Sequence, residues 1–133
     1  MKEYLVRLAA GRPALTAAWH DPVWSPAEPL EIAEFRPEGS DHRPYTRARL
    51  LYVPEGLCGI FRVEDRWVCC RHRRFLDPVY EDSCVEIFLQ PRPDRGYLNF
   101  EMSCGGALLA SANAARAISR CTTPGKKRWP LMT

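Results

Sequence analysis

Two stretches of alternating apolar and polar residues, joined by a turn, constrain this chain more than any other feature. Residues 84–90 and 97–104 alternate in this way, and the segment 91–95 between them has no helical pattern. Because neighbouring residues in a strand point to opposite faces, the pattern predicts an antiparallel hairpin with one apolar face against the core. That face comprises Val85, Ile87, Leu89, Leu98, Phe100, Met102 and Cys104. The opposite, polar face comprises Cys84, Glu86, Phe88, Gln90, Tyr97, Asn99, Glu101 and Ser103.

Short apolar runs separated by turn-forming residues continue along the chain. Twelve prolines and eight glycines interrupt them, and no long 3.6-residue periodicity is present, which is typical of an all-β sandwich or barrel. The predicted strands are Glu3–Arg7, Leu30–Phe35, Tyr45–Val53, Leu57–Val63, Trp67–Arg71, Cys84–Gln90, Tyr97–Cys104 and Ala107–Ser111. Trp19 and Trp24 lie in a proline-rich loop that is expected to cap the sandwich, and Trp67 is expected in the core. Residues 112–133 are predicted to form an irregular basic tail, with a short helix over 112–120 as the alternative.

Length and charge exclude several classes of protein. A chain of 133 residues predicts one domain that buries roughly two-thirds of its unfolded surface. The net charge of +3 is too small to indicate nucleic-acid binding, and no apolar run approaches membrane-spanning length. The first residues lack the apolar core of a signal peptide. We therefore expect a cytoplasmic protein as written, or an extracellular one if the N-terminus is incomplete.

The cysteines and histidines do not form a recognisable framework. The six cysteines contain no Cys-x-x-Cys pair, so the zinc-finger pattern is absent. The alternation of side chains along the two strands places Cys84 and Cys104 on opposite faces of the hairpin, which argues against a disulfide bond between them. We expect reduced, partly buried thiols. The three histidines are far apart in sequence, so a metal site built on them is not expected.

The hairpin sequence also resembles a known family. Asp82-Ser83-Cys84-Val85-Glu86-Ile87-Phe88, preceded by an aromatic residue and followed by Tyr97-x-Asn99-Phe100-Glu101, resembles the family 9 carbohydrate-binding modules, in particular their bacterial family 9-like branch. The resemblance spans about residues 24–110. It implies a jelly-roll-like antiparallel β-sandwich and non-catalytic binding of a sugar from plant-type polysaccharide such as xylan or cellulose. Modules of this family continue further, so the chain is expected to lack the last strands.

The resemblance implies a set of sugar-binding residues on the polar face. Tyr80 occupies the position of a stacking tryptophan, and Glu86 that of a glutamate that accepts hydrogen bonds from sugar hydroxyls. The family's arginine and asparagine positions fall on Glu101 and Ser103, so two of the four residues differ in chemical class. Tyr97 and Asn99 are expected to add secondary polar contacts.

The resemblance also implies calcium as a structural ion. Asp65, Asp82 and Asp94 are the candidate ligands, although loop aspartates usually only form turns.

Two carboxylates are expected to face each other across the hairpin. If Gln90 lies opposite Tyr97, then Glu86 lies opposite Glu101 with Cβ atoms roughly 5 Å apart, and like charges in that position destabilise a sheet. Three compensations remain open: a shifted register, a bound ligand or cation, or an internal counter-charge. The candidate counter-charges are Arg47, Arg49 and Arg62, which share this face if their strands neighbour the hairpin.

Three functions remain open, the first of them implied by the resemblance. Carbohydrate binding is the first, and an interaction or scaffold domain that keeps the sandwich but has lost the sugar is the alternative. A glycoside hydrolase using Glu86 and Glu101 is the third, since retaining glycosidases hold two carboxyl groups about 5–5.5 Å apart.

Overall fold

The computed structural model describes residues 3–113, whose regular secondary structure is almost entirely β-strand. The chain forms two compact units, residues 1–66 and residues from Trp67 onward. The strands are β1 (Arg7–Leu8), β2 (Leu30–Ile32), β3 (Tyr45–Val53), β4 (Gly56–Glu64), β5 (Cys84–Leu89), β6 (Tyr97–Ser103) and β7 (Leu108–Asn113), with 3₁₀ turns at Pro22–Trp24 and Val79–Glu81. Within residues 3–113 there is no helix long and apolar enough to span a membrane. The predicted tail lies outside the described residues, except that its first two positions end β7.

Strand β3 organises the sheet of the first unit. It pairs with β4 over its whole length, with Tyr45 opposite Glu64 and Val53 opposite Gly56, and a turn at Pro54 and Glu55 joins the two strands. The other edge of β3 pairs with β2 antiparallel and with β1 parallel. Strand β3 has the bounds predicted from the sequence, Tyr45–Val53.

The core of the first unit includes both tryptophans of the proline-rich loop. Trp19 and Trp24 are buried and pack in one cluster with Leu51, Val53 and Ile60. The Asp21 side chain accepts the backbone N–H of Val23 at 2.9 Å, which caps the 3₁₀ turn that brings Trp24 inward. On β4, Ile60 is buried whereas Val63 is 42% exposed.

The second unit is an antiparallel meander in the order β5-β6-β7. Gly106, at a φ of +84°, forms the turn between β6 and β7, a conformation that favours glycine. The predicted strand over residues 67–71 is wrong, since this segment is irregular. Trp67, expected in the core, has 71% of its surface exposed. The backbone of Cys69 exchanges hydrogen bonds with Ser83, and the backbone N–H of Arg71 donates to the Asp82 carboxylate, so these groups do not pair with a neighbouring strand.

The hairpin has the predicted alternation but the opposite burial. Asn99, Glu101 and Ser103 on the polar face of β6 are 8%, 9% and 4% exposed, whereas Leu98 and Met102 on its apolar face are 37% and 39% exposed. Alternation fixes which residues share a face but not which face is covered. Internal hydrogen bonds lower the cost of this burial: the Asn99 amide donates to Glu101, and the Ser103 hydroxyl accepts the N–H of Ala107.

Candidate functional site

Asp82 fixes the start of strand β5. Its side chain is shielded from solvent, and its carboxylate accepts the backbone N–H groups of His72 at 2.7 Å and Arg71 at 2.8 Å. Burial acts to raise the pKa of Asp82, but these two N–H groups, together with hydrogen bonds from the side chains of Cys69 and Arg71, outweigh it, so the pKa lies below the ordinary value. Ser83 adds hydrogen bonds in both directions with the backbone of Cys69. The Asp-Ser pair of the motif therefore holds residues 69–72 against the beginning of the hairpin.

The register of β5 and β6 brings the two predicted glutamates together. Glu86 lies opposite Glu101, Cys84 opposite Ser103 and Phe88 opposite Asn99, as predicted from Gln90 facing Tyr97. A shifted register is therefore excluded as the explanation for the facing carboxylates.

Glu101 is the most constrained acid on this face. Its Oε1 accepts a hydrogen bond of 2.8 Å from Nδ2 of Asn99, two residues earlier on the same strand. Two buried acceptors, Oε2 of Glu101 and Oδ1 of Asn99, have no hydrogen-bond donor among the described residues. Buried acceptors are normally satisfied, so the polar face offers two oxygens for an external donor or a cation.

Two groups on this face, the Glu86 carboxyl and the Cys84 thiol, have a raised pKa. Burial, and then the charge of Glu101, raise the pKa of the Glu86 carboxyl, while a hydrogen bond from Asn99 acts in the opposite direction. Burial, followed by the charges of Glu86 and Glu101, raises the pKa of the Cys84 thiol to about 11. The Cys84 thiol is therefore protonated at neutral pH.

Aromatic side chains flank these polar groups. Tyr80 lies in the 3₁₀ turn before β5, and 61% of its surface is exposed. The rings of Phe88 and Tyr97 lie on the polar face with centroids 5.7 Å apart, inclined by 51°, a tilted pairing that aromatic quadrupoles favour. Sequence reasoning missed Phe88 as the partner of Tyr97, although their shared parity was visible.

The three arginines proposed as counter-charges lie in the sheet of the first unit, because β3 and β4 pair with each other and not with β5–β7. The condition for their sharing the hairpin's sheet is therefore not met. Arg49 stacks 4.7 Å from the Trp19 ring centroid and donates to its carbonyl oxygen. Arg47 and Arg62 both form salt bridges with Glu64, in which Nη2 lies 3.4 Å and 3.3 Å, respectively, from Oε1 of Glu64. All three have partners within their own unit.

Cys84 joins the two glutamates in a cluster of metal-ligating groups. Its sulfur and one carboxylate oxygen each from Glu86 and Glu101 all lie within 4.8 Å of one another. The sequence signal was available, since Cys84 precedes Glu86 by two residues and shares its face, but sequence reasoning treated it only as a thiol.

The three aspartates considered for calcium do not fit that ion as a set. N–H groups occupy the Asp82 carboxylate, Asp65 pairs with His42, and Asp94 pairs with Arg92 and Arg95. Calcium requires several oxygen ligands converging on one point. Among the described residues no such convergence includes these aspartates.

Comparisons with known proteins agree with the fold and with the motif. The family model described as carbohydrate-binding family 9 matches residues 27–128. No curated protein sequence matches the chain. The structure is similar to the solved structure of a candidate carbohydrate-binding protein from Bacteroides uniformis, with a TM-score of 0.68 and 20% identity over 98% of this chain and 56% of that one. This likeness confirms the predicted β-sandwich class, and the chain spans about half the length of that protein.

Proposed function

The chain belongs to carbohydrate-binding family 9, and from this membership we propose that it is a non-catalytic module that binds a mono- or oligosaccharide on the polar face of β5 and β6. Glu86 accepts hydrogen bonds from sugar hydroxyls, Tyr80 stacks on the sugar ring, and Tyr97, Asn99, Glu101 and Ser103 complete the polar lining. The expected ligands are β-linked glucose or xylose units of plant-type polysaccharide.

The observation that carries this proposal is the cluster of oxygen acceptors at the centre of the hairpin. Glu86 and Glu101 face each other across the register, and the buried oxygens Glu101 Oε2 and Asn99 Oδ1 have no donor among the described residues. Sugar hydroxyls donate hydrogen bonds, and bonds to a charged acceptor are worth about 1.5–3 kcal/mol each. A sugar would supply the donors that these oxygens otherwise lack.

The aromatic residues support the same proposal from a different chemistry. Tyr80 is exposed, so its ring is available to the apolar C–H face of a pyranose, and Phe88 and Tyr97 form a second apolar surface on the polar face itself. Binding sites of this kind combine apolar rings with a few placed polar groups.

Titration of intrinsic fluorescence against glucose, cellobiose and xylobiose, with calcium present and absent, tests the proposal. We expect saturable binding that Tyr80→Ala weakens at least tenfold and that Glu86→Gln also weakens. Tyr52→Ala is the matched control, because Tyr52 is an exposed tyrosine of β3 in the other unit. A folded wild type with no response to any of the three sugars would contradict the proposal. So would hydrolysis of an aryl glycoside that Glu86→Gln abolishes, since the proposed module is non-catalytic.

One observation favours the alternative of an interaction or scaffold domain. The polar residues of β6 are buried, whereas Leu98 and Met102 on the opposite face are exposed, and an exposed apolar sheet face is more typical of protein contact than of sugar binding. The test is a double variant, Leu98→Ser and Met102→Ser, compared with the wild type for self-association and for sugar titration. Loss of the wild-type self-association with an unchanged sugar response would favour both roles. Loss of self-association in a protein that also shows no sugar response would favour the alternative alone.

A further inference from the structure

We propose that Cys84, Glu86 and Glu101 form a three-ligand site for a divalent transition-metal ion, with Zn²⁺ as the ion that fits best. The site shares Glu86 and Glu101 with the proposed sugar site, and its test contains no sugar, so that its failure is distinguishable from a failure of sugar binding.

The backbone places the three ligands before any metal is present. Glu86 and Glu101 are directly opposite each other in the β5–β6 register, and Cys84 lies on the same face of β5 one pair further along, opposite Ser103. Sulfur and carboxylate oxygens lie within 4.8 Å of one another. Ligand atoms around tetrahedral zinc, with Zn–O of about 2.0–2.2 Å and Zn–S of about 2.3 Å, are roughly 3.5 Å apart. Side-chain adjustment of about an ångström therefore closes the site.

A second observation points to a cation rather than to a chance cluster of acids. Glu101 is 9% exposed and Asn99 is 8% exposed, yet Glu101 Oε2 and Asn99 Oδ1 accept no hydrogen bond from the described residues. The amide of Asn99 is already committed through Nδ2 to Glu101 Oε1 at 2.8 Å. That bond fixes the carboxylate in the way that outer-shell partners orient metal ligands, and leaves Oε2 for the ion.

Among the described residues of the second unit, the salt bridges of the basic side chains go to Glu81, Asp82, Asp77 and Asp94, and not to Glu86 or Glu101. The candidate arginines have partners in the first unit. Arg49 donates a hydrogen bond to the carbonyl oxygen of Trp19, and Arg47 and Arg62 form salt bridges with Glu64. Two facing carboxylates in a half-buried setting cost free energy unless a positive charge lies between them, and a divalent ion supplies it.

The ligand types select the ion. A thiolate is a poor ligand for Ca²⁺ or Mg²⁺ and a good one for Zn²⁺, Co²⁺ and their neighbours. Three protein ligands leave a fourth position of a tetrahedral site for water. The proposed site is therefore an open one rather than the closed four-ligand type that stabilises zinc fingers.

Titration of the reduced, chelator-treated full chain with Co²⁺ tests the site through its spectrum. We expect one equivalent of Co²⁺ to produce a near-ultraviolet band from charge transfer between thiolate and metal, and excess Zn²⁺ to remove the band by displacement. Cys84→Ser should abolish the band, and Glu101→Gln should weaken Zn²⁺ binding at least tenfold in competition with a chromogenic chelator. Cys69→Ser and Cys121→Ser are controls that should keep both signals.

Three results would overturn the proposal. The wild-type protein could show no charge-transfer band, which requires no variant and so does not depend on any variant folding. The band could survive in Cys84→Ser or disappear in Cys121→Ser, which would place the metal elsewhere. If Glu101→Gln unfolds, Glu86→Gln replaces it at a half-buried position, and unchanged Zn²⁺ affinity in that variant would also reject the site.

Discussion

Replacing Glu86 by Gln should stabilise the metal-free protein at neutral pH, because it removes one of two facing negative charges while keeping the shape of the side chain. The carboxylate oxygens of Glu86 and Glu101 lie within 4.8 Å of each other. Two unit charges at that separation repel by about 0.9 kcal/mol in water and about 3.5 kcal/mol at the effective dielectric constant of about 20 that suits a protein surface. Glu86 is half-buried, so we expect a gain of about 1–3 kcal/mol in the free energy of unfolding.

The pH dependence gives this prediction its sign. Burial and the charge of Glu101 raise the pKa of Glu86 above its ordinary value of 4.5, so the folded state binds that proton more tightly than the unfolded state does. The wild-type protein therefore loses stability as the pH rises from 4.5 through the folded pKa. The advantage of Glu86→Gln should be full at pH 7 and nearly absent at pH 4.

Urea denaturation in the presence of a chelator, at pH 7 and pH 4, measures both quantities. Glu81→Gln is the matched control: Glu81 is an exposed acid beside β5 that pairs with His72 and Arg71, and its loss should change stability by less than about 0.5 kcal/mol in either direction. A Glu86→Gln variant less stable than wild type at pH 7, or one whose advantage is the same at both pH values, would refute the argument from repulsion.

Three further predictions concern residues around the hairpin. The Cys84 thiol, with its pKa raised to about 11 from an ordinary 9.0, should be alkylated by iodoacetamide at pH 8 roughly a hundredfold more slowly than a thiol of ordinary pKa in an unfolded control. Gly105→Ala should cost about 1–3 kcal/mol, because its Cβ would lie 2.3 Å from the Cys70 sulfur, and the double variant with Cys70→Ala should recover most of that loss in a thermal melt. The pKa of Asp82 is lowered in the folded protein, so the stability that its carboxylate contributes is lost as the pH falls through the folded pKa. Asp82→Ala should therefore lower the urea midpoint and remove this part of the acid sensitivity. The control Asp94→Ala should do neither.

The pairing of the hairpin could be proposed from the sequence, but the direction of burial could not. Alternation and the turn between the strands suggested that Glu86 lies opposite Glu101 and left a shifted register open, and the structure has the suggested pairing. Hydrophobicity then suggested that Leu98 and Met102 face the core, whereas they are exposed and the polar side chains are buried. Burial depends on what covers each face, and local alternation carries no information about that.

Long-range hydrogen bonds explain the other differences. Trp67 and its neighbours show strand-like composition, yet the Asp82 carboxylate and Ser83 take the backbone N–H groups of this segment across more than ten residues of sequence. The arginines illustrate the same limit, since parity placed them on a face but could not tell that β3 and β4 belong to a separate sheet. The family motif suggested Glu86 and Glu101 as site residues, and only the geometry showed that the Cys84 sulfur lies in one cluster with their carboxylates.

The central claim is that a sugar binds on the polar face of β5 and β6, and mapping of backbone amide shifts tests it most directly. Titration of ¹⁵N-labelled protein with cellobiose or xylobiose should produce saturable shifts concentrated at Glu86, Asn99 and Glu101 and at the turn that carries Tyr80. Amides of β3 and β4 should remain unchanged. Saturable shifts confined to other residues, or a folded protein whose spectrum does not respond to either sugar, would contradict the account.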